Sequence, residues 1–88
     1  MLKIVEGFML REVAGNYIVV AVGNKVKEFN GIINLNETGA FMWKIAEKGT
    51  DEEKLVEAVL EEYDIDRETA TKDVKIFIKK LIDSKLLK

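Results

Sequence analysis

The chain has 88 residues, 34% of them charged and 48% hydrophobic, with a formal net charge of −2, which is the size and balance of one small globular domain and excludes a disordered chain. It contains no Cys, His or Pro, so a disulfide framework and thiol chemistry are excluded, and the commonest metal ligand and general base are missing. Residues 1–49 carry 6 basic and 5 acidic side chains, residues 50–66 carry 1 and 8, and residues 67–88 carry 7 and 3, so an acidic stretch is followed by a basic one.

Met1 to Gly7 reads either as a frayed start or as an extra edge strand, and the residues do not decide between them. Phe8 to Val13 reads as a first strand, and Ala14-Gly15-Asn16 as a turn. Tyr17 to Val22 is β-branched and aromatic, and apolar on both faces, so it is expected mid-sheet or under helices. It is also the longest apolar run, far too short to span a bilayer, and no signal-peptide pattern precedes it; the expected location is the cytoplasm. Gly23-Asn24-Lys25 reads as a second turn. Beyond it, Asn30-Gly31 is a favoured hairpin turn between Val26–Phe29 and Ile32–Leu35. A single third strand beginning near Phe29 is the other reading, and it is preferred because Val26–Glu28 is polar. Both readings end on Ile32–Leu35.

Leu35 to Gly49 is the centre of the pattern. Asn36 suits an N-cap, Glu37 the positive end of the helix dipole, and Gly49 a left-handed C-terminal position. Phe41, Met42, Ile45 and Ala46 fill one broad arc and Trp43 widens it, leaving Ala40, Lys44, Glu47 and Lys48 for water. An arc this wide predicts a helix covered on two or more sides. Thr50 to Glu53 has the form of a capping box and opens a helix over about 51–63, with Leu55, Val56, Val59, Leu60 and Tyr63 inward. Asp66 then caps a third helix over about 67–83, whose Ala70, Val74, Phe77, Ile78, Leu81 and Ile82 share an apolar arc. Leu86-Leu87 is expected to tuck back onto the core. The order β-β-β-α-α-α predicts an α+β domain of winged helix-turn-helix type, a three-stranded antiparallel sheet followed by three helices, in a single unit over 1–88.

Several of these pieces together resemble the PqqD-like proteins, the peptide-recognition domains of ribosomally synthesised and modified peptides. The resemblance rests on Arg11-Glu12-Val13, the Gly-bearing turn and Val-rich second strand, and Leu35-Asn36-Glu37-Thr38-Gly39-Ala40 with Trp43. Thr50 to Val56, Asp73 to Leu81 and the Leu-Leu tail continue it, so that it covers about residues 7–88. The longer, more polar stretch 23–31 departs from the tight turn of some members. The resemblance implies a domain that is not an enzyme and has no cofactor. It would capture the leader segment of a precursor peptide as an extra strand, in the cleft between the third strand and third helix. It would then present the core segment to a modifying enzyme, often a radical SAM protein.

The residues fit that chemistry. Gly31, Ile32, Ile33 and Asn34 are positioned to supply an edge, whose unpaired N–H and C=O groups pair with an extended peptide. On the third helix, Ile76 lies nearly opposite the apolar stripe among Lys72, Lys75 and Lys79, a set that suits an acidic leader. Each also has a plain structural reading: exposed apolar residues and solvated lysine faces are common, and Asn36 and Trp43 serve as cap and core. Catalysis has no support in the residues, since no Gly-rich phosphate loop follows a strand and no carboxylate lies in an apolar setting; the acidic cluster also lacks the spacing of a calcium loop. The rival readings are a winged-helix DNA-binding protein using Lys72, Lys75, Lys79 and Lys80 on phosphates, and a subunit-docking or dimerisation module. An acidic second helix and the scarcity of Arg, Asn and Gln on the third weigh against DNA. One open edge strand would also permit a homodimer.

Overall fold

The computed structural model describes residues 1–27 and 31–88. Strands β1 (Phe8–Val13), β2 (Asn16–Ala21) and β3 (Ile32–Leu35) precede helices α1 (Glu37–Ala46), α2 (Glu52–Glu62) and α3 (Arg67–Asp83). This is the expected α+β order. The strands form one antiparallel sheet in the order β1-β2-β3, with Val13 opposite Asn16, and Val19 opposite both Leu10 and Ile33. β2 is central, as its two apolar faces predict. Ala14 and Gly15, both at positive φ (51° and 80°), form the two-residue turn whose twist matches the strands.

The second turn is a short 3₁₀ helix, Gly23–Lys27. That corrects the hairpin reading for Val26 and Lys27, which are not in a strand. The rest of that reading, and the proposed strand start near Phe29, lie outside the described residues.

Trp43 is the hub, with 0% of its surface exposed. Around it lie Val19 and Leu35 from the sheet, Met42 and Ala46 from α1, Leu55 and Val59 from α2, and Val74, Phe77 and Leu81 from α3. Two expectations about faces fail. Ala40, assigned to water, is buried, and Ile82, assigned to the core arc, is 58% exposed. α1 is therefore enclosed more completely, and the buried stripe of α3 is narrower, than periodicity indicates.

Asn36 caps α1 through Gly39 N–H (2.7 Å), and Asp66 caps α3 through Thr69 N–H (2.8 Å). The capping box at α2 is not formed. Asp51 is the N-cap, accepting from Lys54 N–H at 2.8 Å, while Thr50 is buried and exchanges both backbone bonds with Leu2 (2.6 and 2.8 Å). The amino-terminal segment is thus neither frayed nor a strand of the sheet. It is stapled to the loop before α2 and to the carboxyl-terminal tail: Val5 N–H donates to Leu86 O, and Lys88 N–H to Lys3 O.

α3 ends in a paired reversal. Leu86 N–H bonds Leu81 O and Lys85 N–H bonds Ile82 O, with Lys85 at φ 59°. This satisfies the last carbonyls of the helix and drives Leu86 to full burial beside Leu81.

Candidate functional site

β3 stands at an edge of the sheet; among the described residues its only neighbouring strand is β2. The strand runs straight into α1 through Asn36. Gly39 makes that junction tight: a methyl group there would stand 3.2 Å from Asn36 Oδ1 and 3.3 Å from Leu35 Cβ, crowding the cap. This gives the Leu-Asn-x-Thr-Gly pattern a steric reason.

Across from this junction runs α3, and a cleft of about 130 Å³ separates the two. Leu35, Asn36, Thr38, Gly39 and Met42 form one wall, and Asp73, Ile76, Phe77 and Lys80 the other. The α3 residues recur at the three- and four-residue spacing of one helix face. The floor is apolar, and one acidic and one basic side chain stand at different turns of the helix. Lys80 Nζ reaches across and donates to Asn34 O at 3.1 Å.

That bond reports on the strand's orientation. A carbonyl that accepts from a helix outside the sheet is directed away from β2, and in an antiparallel pair the N–H of the same residue points the same way. By alternation Ile32 shares this direction, whereas Ile33 and Leu35 face β2. Side chains alternate too: Ile33 is half-buried and Leu35 buried, while Ile32 and Asn34 are exposed on the outer face.

The residues singled out from sequence fall into two groups. Gly31, Ile32, Ile33 and Asn34 lie together at the β3 edge. Lys72, Lys75 and Lys79 do not line the cleft; with Glu68, Thr71 and Ile76 they line a shallow groove on the outer side of α3. Ile76, 54% exposed, is the ridge shared by groove and cleft. The cleft side of α3 is therefore the expected face turned by one residue, to Asp73, Phe77 and Lys80. None of the three is in the peptide-binding set expected from sequence, where Phe77 belongs to the apolar arc and Lys80 to the phosphate contacts of the rival reading, although Asp73 and Lys80 flank the apolar stripe two turns apart. Two of the four lysines required for phosphate contacts are also engaged, Lys79 by Asp83 (3.0 Å) and Lys80 by Asn34 O.

Behind the cleft, Tyr63 closes α2 against the start of α1. Its ring meets Phe41 edge-on (centroids 5.6 Å apart, planes at 88°). Burial first, and the charge of Glu37 second, raise the Tyr63 hydroxyl above its usual 10.0. Among the described residues no cluster of acidic side chains has the geometry to hold a metal ion, and no helix is long and apolar enough to cross a membrane.

The family model for coenzyme PQQ synthesis protein D (PqqD) matches residues 6–87. Among solved structures, TbiB1 in complex with the TbiA(beta) leader peptide is similar to this chain, with a TM-score of 0.74 at 23% identity over 98% of this chain and 94% of that one. Lasso peptide synthetase B1 complexed with the leader peptide is similar with a TM-score of 0.74 at 14% identity over 99% and 96%. At these identities the likeness is one of fold. No curated protein matches the chain.

Proposed function

The chain belongs to the PqqD family, and from that premise we propose that it is a non-catalytic module that binds the leader segment of a ribosomally made precursor peptide. The leader adds to β3 as a further strand, in the cleft between β3 and α3, and the core segment of the precursor is presented to a modifying enzyme. From the family resemblance that enzyme is a radical SAM protein. In this reading residues 1–88 act as one domain in the cytoplasm, and the sheet edges leave room for a homodimer.

The observation that carries the reading is the open β3 edge beside an apolar-floored cleft between the β3–α1 junction and α3, with the Asn34 carbonyl reached by Lys80 of that cleft. Two structures sharing the fold are leader-peptide complexes, which favours this use of the edge. Backbone pairing would supply affinity largely independent of sequence, and the side-chain pocket over Ile76 and Phe77 would supply selectivity. A few filled pockets and backbone pairs are consistent with micromolar to nanomolar binding, about −8 to −12 kcal/mol.

The test is an NMR titration of labelled protein with the leader region of a short precursor encoded beside its gene. Amide shifts are expected at 31–35 and along 73–80. Shifts confined to the acidic outer face of α2, or none, would overturn the proposal.

A further inference from the structure

Lys80 is placed unlike the other lysines of α3. Its neighbour Lys79 has a carboxylate, Asp83, at 3.0 Å. Lys80 has none among the described residues, and its ammonium is held against a neutral acceptor, Asn34 O, at 3.1 Å. That oxygen is also the acceptor that an added strand's own N–H requires at this position of the edge.

Asp73 stands at a different point of the same wall. Seven residues of helix separate it from Lys80, about 10 Å, a distance an extended segment covers in about three residues. Between them the wall is Ile76 and Phe77, with Met42 opposite. The cleft therefore has a positive end, an apolar middle and a negative end.

We infer that Lys80 is the specificity-determining residue of this cleft: it yields Asn34 O to the guest backbone and takes a carboxylate of the guest, so the cleft selects segments with an Asp or Glu beside an apolar anchor. The exchange conserves partners. The guest N–H replaces the ammonium on the carbonyl, and the released ammonium gains an anion, a stronger acceptor than the neutral oxygen it leaves. Asp73 repels the same carboxylate at the other end, so the charge pair also sets which way round the segment lies. This inference rests on the strand-addition reading above.

The experiment is selection from a displayed library of short random peptides on the intact protein and on Lys80→Met, Lys80→Glu and Lys75→Met. Binders are then checked for amide shifts in β3. With the native protein, Asp or Glu is expected at one offset from an apolar residue, always on the same side of it. Lys80→Met should abolish that enrichment and weaken an enriched peptide roughly tenfold. Lys80→Glu should replace it with Lys or Arg, and Lys75→Met, in the outer groove, should leave it unchanged. Lys80 is exposed, and emission from the buried Trp43 verifies that each variant is folded. Binders that shift β3 amides without acidic enrichment, or with the same enrichment on Lys80→Met, overturn the inference and leave strand addition standing. Failure to select any peptide that shifts Ile32 to Leu35 overturns the strand-addition reading and the inference with it.

Discussion

Proline distinguishes vacant from occupied amides, and β3 offers one of each side by side. If Asn34 directs its N–H outward, Asn34→Pro removes no bond of the sheet, and proline is tolerated where an edge N–H faces solvent. The residue before it, Ile33, is already extended in β3, as a residue preceding proline must be. The expected stability change is within about 0.5–1 kcal/mol. Ile33→Pro is different. Ile33 pairs with Val19, which is 0% exposed. Losing the ladder N–H leaves an acceptor in that buried row unpaired, at about 1–3 kcal/mol, and the half-buried side chain adds about 1 kcal/mol. A loss of about 2–4 kcal/mol lowers the melting temperature of a domain this size by roughly 10–30 °C. Thermal melts followed by Trp43 emission read both variants. In a titration with a bound leader, Asn34→Pro should also weaken affinity about two- to tenfold, the worth of one backbone hydrogen bond. If Asn34→Pro unfolds the protein as severely as Ile33→Pro, the amide of Asn34 belongs to the internal ladder, and the vacant edge required for strand addition does not exist.

Other outcomes follow from the same geometry. Lys85 adopts φ 59°, a left-handed position that glycine takes without steric cost, so Lys85→Gly should stabilise the protein by about 1 kcal/mol in urea denaturation. Leu86→Ala, at a fully buried position, should cost about 2–5 kcal/mol by the same measurement. The hydroxyl of Tyr63 is raised by burial and by Glu37; its contribution to stability is therefore complete below the unfolded value of about 10 and is lost as pH climbs through the higher folded value. Urea midpoints measured across that alkaline range should fall less steeply for Tyr63→Phe. Trp43, the single tryptophan, has no exposed surface, and its indole N–H has no partner among the described residues. Its emission should be blue-shifted in the folded state, resist iodide quenching and move to the red on unfolding.

The elements that announce themselves in sequence are those whose signals are local. Phe8–Val13 falls as a strand just ahead of the Ala14-Gly15-Asn16 turn signal, and Arg67–Asp83 where helical period and the Asp66 cap place it. Thr50 shows the limit of such signals. Its spacing to Glu53 has the form of a capping box, but its backbone is taken by Leu2, a partner 48 positions away, and Asp51 takes over the cap. The cleft shows another limit. Periodicity identifies which residues of α3 share a face, and Asp73 and Lys80 are visible as flanks of the apolar stripe. Which flank meets β3 depends on how α3 is rotated against the sheet, and that is set by packing around Trp43. Charge alone points to Lys72, Lys75 and Lys79, and they line the adjoining groove.

The bond from Lys88 N–H to Lys3 O and the bridge between Ile4 and Leu87 bring the first and last segments into lateral contact. Residues 3–88 thereby form a nearly closed ring. A short linker from Met1 to Lys88 would span little distance and cost little loop entropy. New ends could then be opened at the exposed Ala14-Gly15 reversal, giving a circular permutant that begins on β2 and keeps β3, α1 and α3 in unbroken succession.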